Sequence, residues 1–419
     1  MKKAAVLLVL CVLCACTASD NSQTDQTAQQ LTIVLWDYDK ISYDRRLVEA
    51  FEQAHTGVQV KVISYPDAYY DEKMKSLLIS GKEIDVFLTR TSSSLKTLCD
   101  YGIALPLEEL GSQYGLDLAD SLNDWDVMRH EGHLYGIPYR NDRYVLLYNC
   151  DLFDKAGVDY PPSQLTWEQF HTIARQLQQG LKDNNTGLKD NNTYAVMILP
   201  MDLQWIGCGR AGDLNAQAIS ASMRPIMDLL LEMQSEGCTL DYGACIAQDI
   251  QQQCFELGNY GMYVGGSWYI NYLTSDWQSG KFNFRWGVTT APFWPQQDAA
   301  QGTVVLSCMG ICKNTKNKNL AWEFIQFATG AQGAAIMAEE QMIPAYMDEM
   351  IKKIYQENFI GARLNPEICK PRVYSGTGLQ SNTAEYQIIC HEFRKCMIKE
   401  KSVDNALADM RSALAILEE

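Results

Sequence analysis

Between residues 31 and 89 the chain alternates strand and helix patterns, and this alternation constrains the fold more than any other feature. "LTIVLW" (31–36) is a short apolar run rich in branched residues. "YDRRLVEAFEQAH", after Ser42, places Tyr43, Leu47, Phe51 and Ala54 on one helical face. Ser42 is placed to cap that helix and Gly57 to end it. "VQVKVISY" (58–65), "DAYYDEKMKSLLISG" and "IDVFLT" (84–89) repeat the cycle. Strand, helix, strand, helix, strand at this spacing predicts an α/β fold of parallel strands joined by right-handed crossovers. In such sheets ligands collect outside the carboxyl ends of the strands, where Trp36 to Lys40, Tyr65 to Tyr69 and Asp85 to Ser94 emerge.

Further along, Thr166 and Gln169 form a capping box for the helix "WEQFHTIARQLQ". The heptapeptide "GLKDNNT" then occurs twice in succession, at 180–186 and 187–193, as a polar surface turn that has accepted an insertion. "KFNFRWGVTTAPF" and "GTVVLSCMGICK" read as strands. "NLAWEFIQFATG" and a segment from about Ser402 to Leu417 read as helices, the last packing Ala406, Met410 and Leu414.

At 419 residues, 47% of them hydrophobic, the chain exceeds the size at which one core keeps growing, so two lobes are expected. A formal net charge of −16, with no basic run interleaved with aromatics, argues against nucleic-acid binding. The first residues, "MKKAAVLLVLCVLCAC", carry two lysines, a short apolar core and small residues, the order of an export signal. Leu13-Cys14-Ala15-Cys16 resembles a bacterial lipobox, which makes residues 1–15 a lipoprotein signal peptide and Cys16 the lipidated N-terminus. Residues 16–30 are then a flexible polar tether that holds the protein to a membrane from outside the cytoplasm. Of 14 cysteines, eleven remain after Cys11, Cys14 and Cys16 are set aside, an odd number for an exported chain. Cys308 and Cys312, four apart on a strand, stand about 13 Å from each other, beyond disulfide reach. His130 and His133 lack a completing ligand set, so neither a metal nor a cofactor is expected. The acidic pairs Asp117 with Asp120 and Glu108 with Glu109 are the material a glycosidase would need, but they read as solvated surface. "GNYGMYVGGS" matches neither phosphate-cradling glycine pattern.

"EGHLYGIPYRNDRYVLLYNCDLFDKAGV" resembles the most specific segment of the extracellular solute-binding proteins of ABC importers, in particular the sugar-binding branch. "EIDVFL", "GMYVGGSWYI", "WGVTTAPF" and "NLAWEFIQFATG" are similar to further segments of that family, over about residues 31–419. Cys150 stands where the family often has Lys. The resemblance implies a type II periplasmic-binding-protein-like fold with a ligand cleft between lobes. Residues 31–138 plus 293–345 would form one lobe and 139–292 plus 346–419 the other. It also implies a monomer that captures a sugar or oligosaccharide by lobe closure and hands it to ABC permease subunits, without catalysis. A surface carbohydrate-active enzyme, or a sensor coupled to a membrane kinase, are the alternatives.

Sugars present C–H faces and hydroxyl edges, so their sites combine aromatic platforms with short polar groups. The ligand-binding candidates at the strand ends are Trp36, Tyr38, Asp39, Lys40, Tyr65, Asp85, Thr89 and Arg90. Arg140, Asp142 and Trp268 join them, with Trp205 and Tyr386 as platforms from the second lobe. In "GIPYRNDRYVLLYN", Pro138 is expected to end one lobe's strand and Tyr144 to begin the other's. Arg140 and Asp142 would then face the cleft, with Arg143 on the hinge side in a salt bridge.

Overall fold

The computed structural model describes residues 29–114, 123–183, 192–199, 215–295, 304–370 and 384–418. Cys16, Trp205, Asp117 and Asp120 lie outside the described residues. β1 (Gln29–Trp36), α1 (Ser42–Ala54), β2 (Val58–Tyr65), α2 (Tyr70–Ile79) and β3 (Val86–Thr89) form the parallel unit read from the sequence. β1 lies between β2 and β3 and runs parallel to both. It starts two residues earlier than the sequence suggests, because Gln29 and Gln30 pair with Val58 and Gln59. Ser42 does not cap α1: Ile41 occupies the cap, and the Ser42 hydroxyl donates instead to Glu340 at 2.8 Å. Tyr43, Leu47 and Phe51 are buried as expected, whereas Ala54 is exposed at the helix end.

Next come α3 (Ser92–Asp100), α4 (Glu108–Gln113) and the small hairpin of β4 (Arg129–His130) with β5 (His133–Leu134). β6 (Ile137–Asn149) leads into α5 (Cys150–Ala156), α6 (Trp167–Asp183) and β7 (Tyr194–Met197). The capping box at the start of α6 is closed reciprocally, Thr166 N–H to Gln169 at 2.9 Å and Gln169 N–H to Thr166 at 3.2 Å. α7 (Ile219–Ser235), α8 (Tyr242–Ala247), β8 (Tyr260–Gly266), α9 (Tyr269–Gln278) and β9 (Trp286–Thr290) follow. The described chain then runs through β10 (Val304–Ile311), α10 (Lys318–Thr329), α11 (Ala331–Glu339), α12 (Glu349–Asn358) and β11 (Arg363–Leu364). It finishes with α13 (Ala384–Met397) and α14 (Val403–Glu418). Among the described residues no helix is long and apolar enough to cross a membrane.

β6 corrects the sequence reading at its centre. Pro138 does not end a strand, and Tyr144 does not begin one: the 13 residues from Ile137 to Asn149 form one continuous strand, buried throughout. Its first half pairs antiparallel with β10, from Ile137 opposite Met309 to Arg143 opposite Val304. Its second half pairs antiparallel with β8 and β9 at once, Leu146 facing Val264 on one edge and Thr289 on the other. Pro138 is accommodated at the irregularity in the β10 register between Ser307 and Cys308, where an N–H is not needed for the ladder.

The apolar side chains follow this division. One cluster packs β1, α1, β3, β10 and α10 around Phe51, Phe87 and Trp322, and it includes Ile137 and Tyr139 of β6. Beyond Arg143 the alternation of a strand sends Tyr144, Leu146 and Tyr148 to one face and Val145 and Leu147 to the other. The first face meets α5, α6, α7, α13 and α14. The second meets Tyr269, Trp286, Ile343 and Tyr355. A strand buried on both faces reads as a nearly unbroken apolar run, which is what "YVLLY" is.

Candidate functional site

The four polar residues at the middle of β6 pair with one another and with the chain around them. Strand geometry puts Arg140 and Asp142 on one face and Asn141 and Arg143 on the other. Arg140 Nε donates to Asp142 Oδ2 at 2.8 Å, a second guanidinium nitrogen reaches the same oxygen, and a third donates to the Tyr43 hydroxyl at 2.8 Å. The guanidinium also lies over the Trp36 ring, 5.3 Å from its centroid. Asp142 Oδ1 accepts from the Ser267 hydroxyl at 2.9 Å. On the opposite face Arg143 donates to Asn141 and to the carbonyl of Lys370. Relative exposures of 6% for Arg140 and 1% for Asp142 show that both are enclosed. They are enclosed where the sequence suggested that they face a cleft. Central polar residues are tolerated because each is met by a partner of complementary charge or dipole.

α1 extends this network. The Tyr139 hydroxyl donates to Asp44 Oδ1 at 2.8 Å, and Asp44 is itself buried. Burial raises the Asp44 carboxyl to about 6, against the lowering effects of the Tyr139 hydrogen bond and the nearby Arg140 charge. For Arg140, burial alone would lower the pKa, but Asp142 and Tyr43 more than reverse it, and the guanidinium stays charged. Burial holds the Tyr43 and Tyr139 hydroxyls protonated.

Above this network lies a half-exposed rim. Trp36 and Tyr65 face each other across the β1–β2 ladder, and the Asp37 N–H donates to the Tyr65 carbonyl at 2.9 Å. Trp36 itself is buried against the Tyr70 edge, at 5.2 Å. Tyr38 is half-buried, its N–H on Ser64 at 3.1 Å. Asp39 and Lys40 are exposed, and Lys40 pairs with Asp37 at 3.1 Å. Arg90, at the carboxyl end of β3, is held by Asp71 at 2.5 Å and Asp67 at 2.9 Å. From the other lobe Tyr272 of α9 comes within electrostatic reach of Asp37, Asp67 and Arg140; burial, then Asp37, pushes its hydroxyl up to about 12.

Trp268 lies where the three apolar clusters come together. It precedes α9 directly, is half-buried, and packs against all three apolar clusters. The Tyr144 ring meets it edge-on at 5.7 Å. Of the described aromatic candidates it is the one that touches both lobes' cores while keeping part of its surface open.

Three candidates fall elsewhere. Asp85 precedes β3 and lies at the amino end of the sheet, where its carboxylate accepts from Thr32 N–H at 2.7 Å, from the Thr315 hydroxyl and from Asn317 at 3.3 Å. Thr89 is fully buried, its hydroxyl 3.0 Å from the Cys308 sulfur. Tyr386 sits half-buried in the first turn of α13, bonded to the Cys390 thiol. Tyr43, Asp44, Tyr139, Ser267 and Tyr272 were not singled out as site residues from sequence. For Tyr272 a signal existed, since it lies four residues after Trp268, one helical turn away. Asp44 gives none, because a carboxylate in a first helical turn ordinarily reads as dipole complement.

Two α/β lobes sharing one central strand, with a half-buried indole where their cores meet, define a two-lobed binding protein. The chain belongs to the bacterial extracellular solute-binding protein family, whose model matches residues 46–353. A binding protein of Brucella abortus is 23% identical over 348 residues, 78% of this chain and 79% of its own length. Among solved structures, a sugar transporter from Rhizobium etli in an open conformation superposes with a TM-score of 0.75 at 23% identity. That match covers 93% of this chain and 99% of that one. An ABC substrate-binding protein from Listeria monocytogenes, in complex with cycloalternan, superposes with a TM-score of 0.73 at 18% identity, over 93% and 99% of the two chains.

Proposed function

We propose that this protein is a lipid-anchored, extracytoplasmic, monomeric substrate-binding protein of an ABC transporter. It captures a sugar or oligosaccharide between its lobes and delivers it to the permease. The observation that carries this reading is Trp268, a half-buried indole that packs against the apolar clusters of both lobes and keeps part of its surface open. An aromatic shelf surrounded by hydroxyls and paired charges suits the C–H face and hydroxyl edge of a pyranose. Asp39, Lys40 and Arg90 at the rim supply hydrogen bonds; Arg140 and Asp142 act from beneath, holding the crossing strand rigid. The relatives named above as a sugar transporter and as a cycloalternan complex support the same ligand class.

Capture by closure follows if the ligand touches both lobes, because it then binds the closed state in preference to the open one. Anchoring through Cys16 keeps the receptor near its permease. A thermal-shift screen of the mature protein against lactose, maltose, D-mannitol and charged solutes tests the ligand class. A saccharide at a hundred times its dissociation constant stabilises by about 2.7 kcal/mol, a rise of about 3 °C for a chain this long. A rise with a polyamine or organic anion, and none with any saccharide, would replace this reading by another solute class.

A further inference from the structure

β8 ends in two glycines, and the second has a duty that its backbone does not explain. Gly266 is a regular ladder residue opposite Tyr144, without the positive φ that requires glycine. A Cβ built on it would lie 2.2 Å from Cε2, Cζ2 and Cη2 of Trp268. The six-membered ring of the indole therefore rests directly on the Gly266 Cα, which is how close approach over a strand glycine is achieved. The next residue fixes the turn: Ser267 N–H donates to the Arg143 carbonyl at 2.8 Å. Its hydroxyl accepts from the Arg143 N–H at 3.2 Å and donates to Asp142 at 2.9 Å. Tyr144 closes the indole's edge from the neighbouring strand. Gly265 seats the Tyr263 ring in the same way, but that ring is buried and serves the core alone.

We infer that Gly266 is a positioning residue for ligand capture: its missing side chain sets the depth and tilt of the Trp268 indole, and so the shape of the shelf that a saccharide ring meets. The inference rests on the saccharide-capture reading above. Any side chain at 266 lifts the indole toward the cleft and narrows the space for a ring stacked on it, while the β8 ladder, which tolerates any residue here, stays intact.

Protein labelled with 5-fluorotryptophan tests this with and without ligand. The Trp268 fluorine resonance is assigned by its loss in Trp268→Phe. In Gly266→Ala that resonance shifts while the other tryptophan resonances keep their positions, which reports an intact fold. Calorimetric titration with lactose, maltose and D-mannitol then shows affinity reduced at least about tenfold in Gly266→Ala, the scale of a displaced aromatic anchor. In a Trp268→Ala background the same substitution changes affinity by less than about twofold, because the methyl then has room. An unmoved Trp268 resonance, unchanged affinity in Gly266→Ala, or a further loss in the Trp268→Ala background would each overturn the inference. Wild-type protein that gains no thermal stability from any saccharide refutes the saccharide reading, and the resonance still decides whether Gly266 seats the indole.

Discussion

Replacing Arg140 by methionine separates a ligand-contacting arginine from one that holds the crossing strand together. Methionine keeps much of the apolar stem over Trp36 but removes the two bonds to Asp142 and the one to Tyr43. Asp142, at 1% exposure, is left with the Ser267 hydroxyl as its remaining side-chain donor on that face. Stranding one member of a buried ion pair costs about 3–5 kcal/mol. Spread over an unfolding entropy of about 0.8 kcal/mol/K for a chain of this length, that lowers Tm by about 4–6 °C. Differential scanning calorimetry of the free protein at pH 7.5 reads the loss. The double variant Arg140→Met with Asp142→Leu recovers more than half of it, since an apolar pair in place of a buried ion pair is often neutral. An Arg140→Met protein that melts like the wild type but loses saccharide affinity would refute this and return Arg140 to the cleft.

Asp44 makes stability depend on pH in a definite direction. Its folded pKa of about 6 lies above the unfolded value of about 3.9, so its contribution is fully present below pH ~4 and is lost as pH rises through ~6. The stability of wild type relative to Asp44→Asn therefore falls by about 3 kcal/mol across that window, and a difference constant from pH 4 to 7 in urea titrations would contradict it. Gly180 of α6 lies against α5: a Cβ there would sit 2.4 Å from the Ala156 carbonyl oxygen. Gly180→Ala should thus destabilise by about 1–3 kcal/mol despite the better helix propensity of alanine, and an increase in Tm would show that α5 yields freely. Cys16→Ser should release the protein from the membrane fraction into the soluble one without altering its Tm; retention in the membrane would end the lipid-anchor proposal.

The parallel β1–β3 unit was legible because local periodicity and near-local pairing coincide: β2 lies one helix from its partner β1, and β3 reaches the same strand two helices on. The capping box of α6 was legible for the same reason, being satisfied within four residues. The polar middle of β6 was not. Strong polarity inside an apolar run ordinarily marks a break, and whether Arg140 is solvated or enclosed depends on Tyr43, nearly a hundred residues away, and on Ser267 beyond Asp142. Asp85 misled similarly: its position in the chain next to β3 said nothing about which end of the sheet it occupies, and its partners Thr315 and Asn317 come from much later. Trp268 was legible as a site candidate from its motif, whereas its seat on Gly266 needed coordinates.

Isothermal titration of wild type and Trp268→Ala with the saccharide that gives the largest thermal shift tests the central claim most directly. One saturable site is expected in the wild type and, in Trp268→Ala, affinity lower by at least about tenfold with Tm of the free protein lower by no more than about 4–6 °C, the cost of truncating a packed indole. Normal affinity in Trp268→Ala accompanied by a large fall in Tm would place the indole in the core and contradict it.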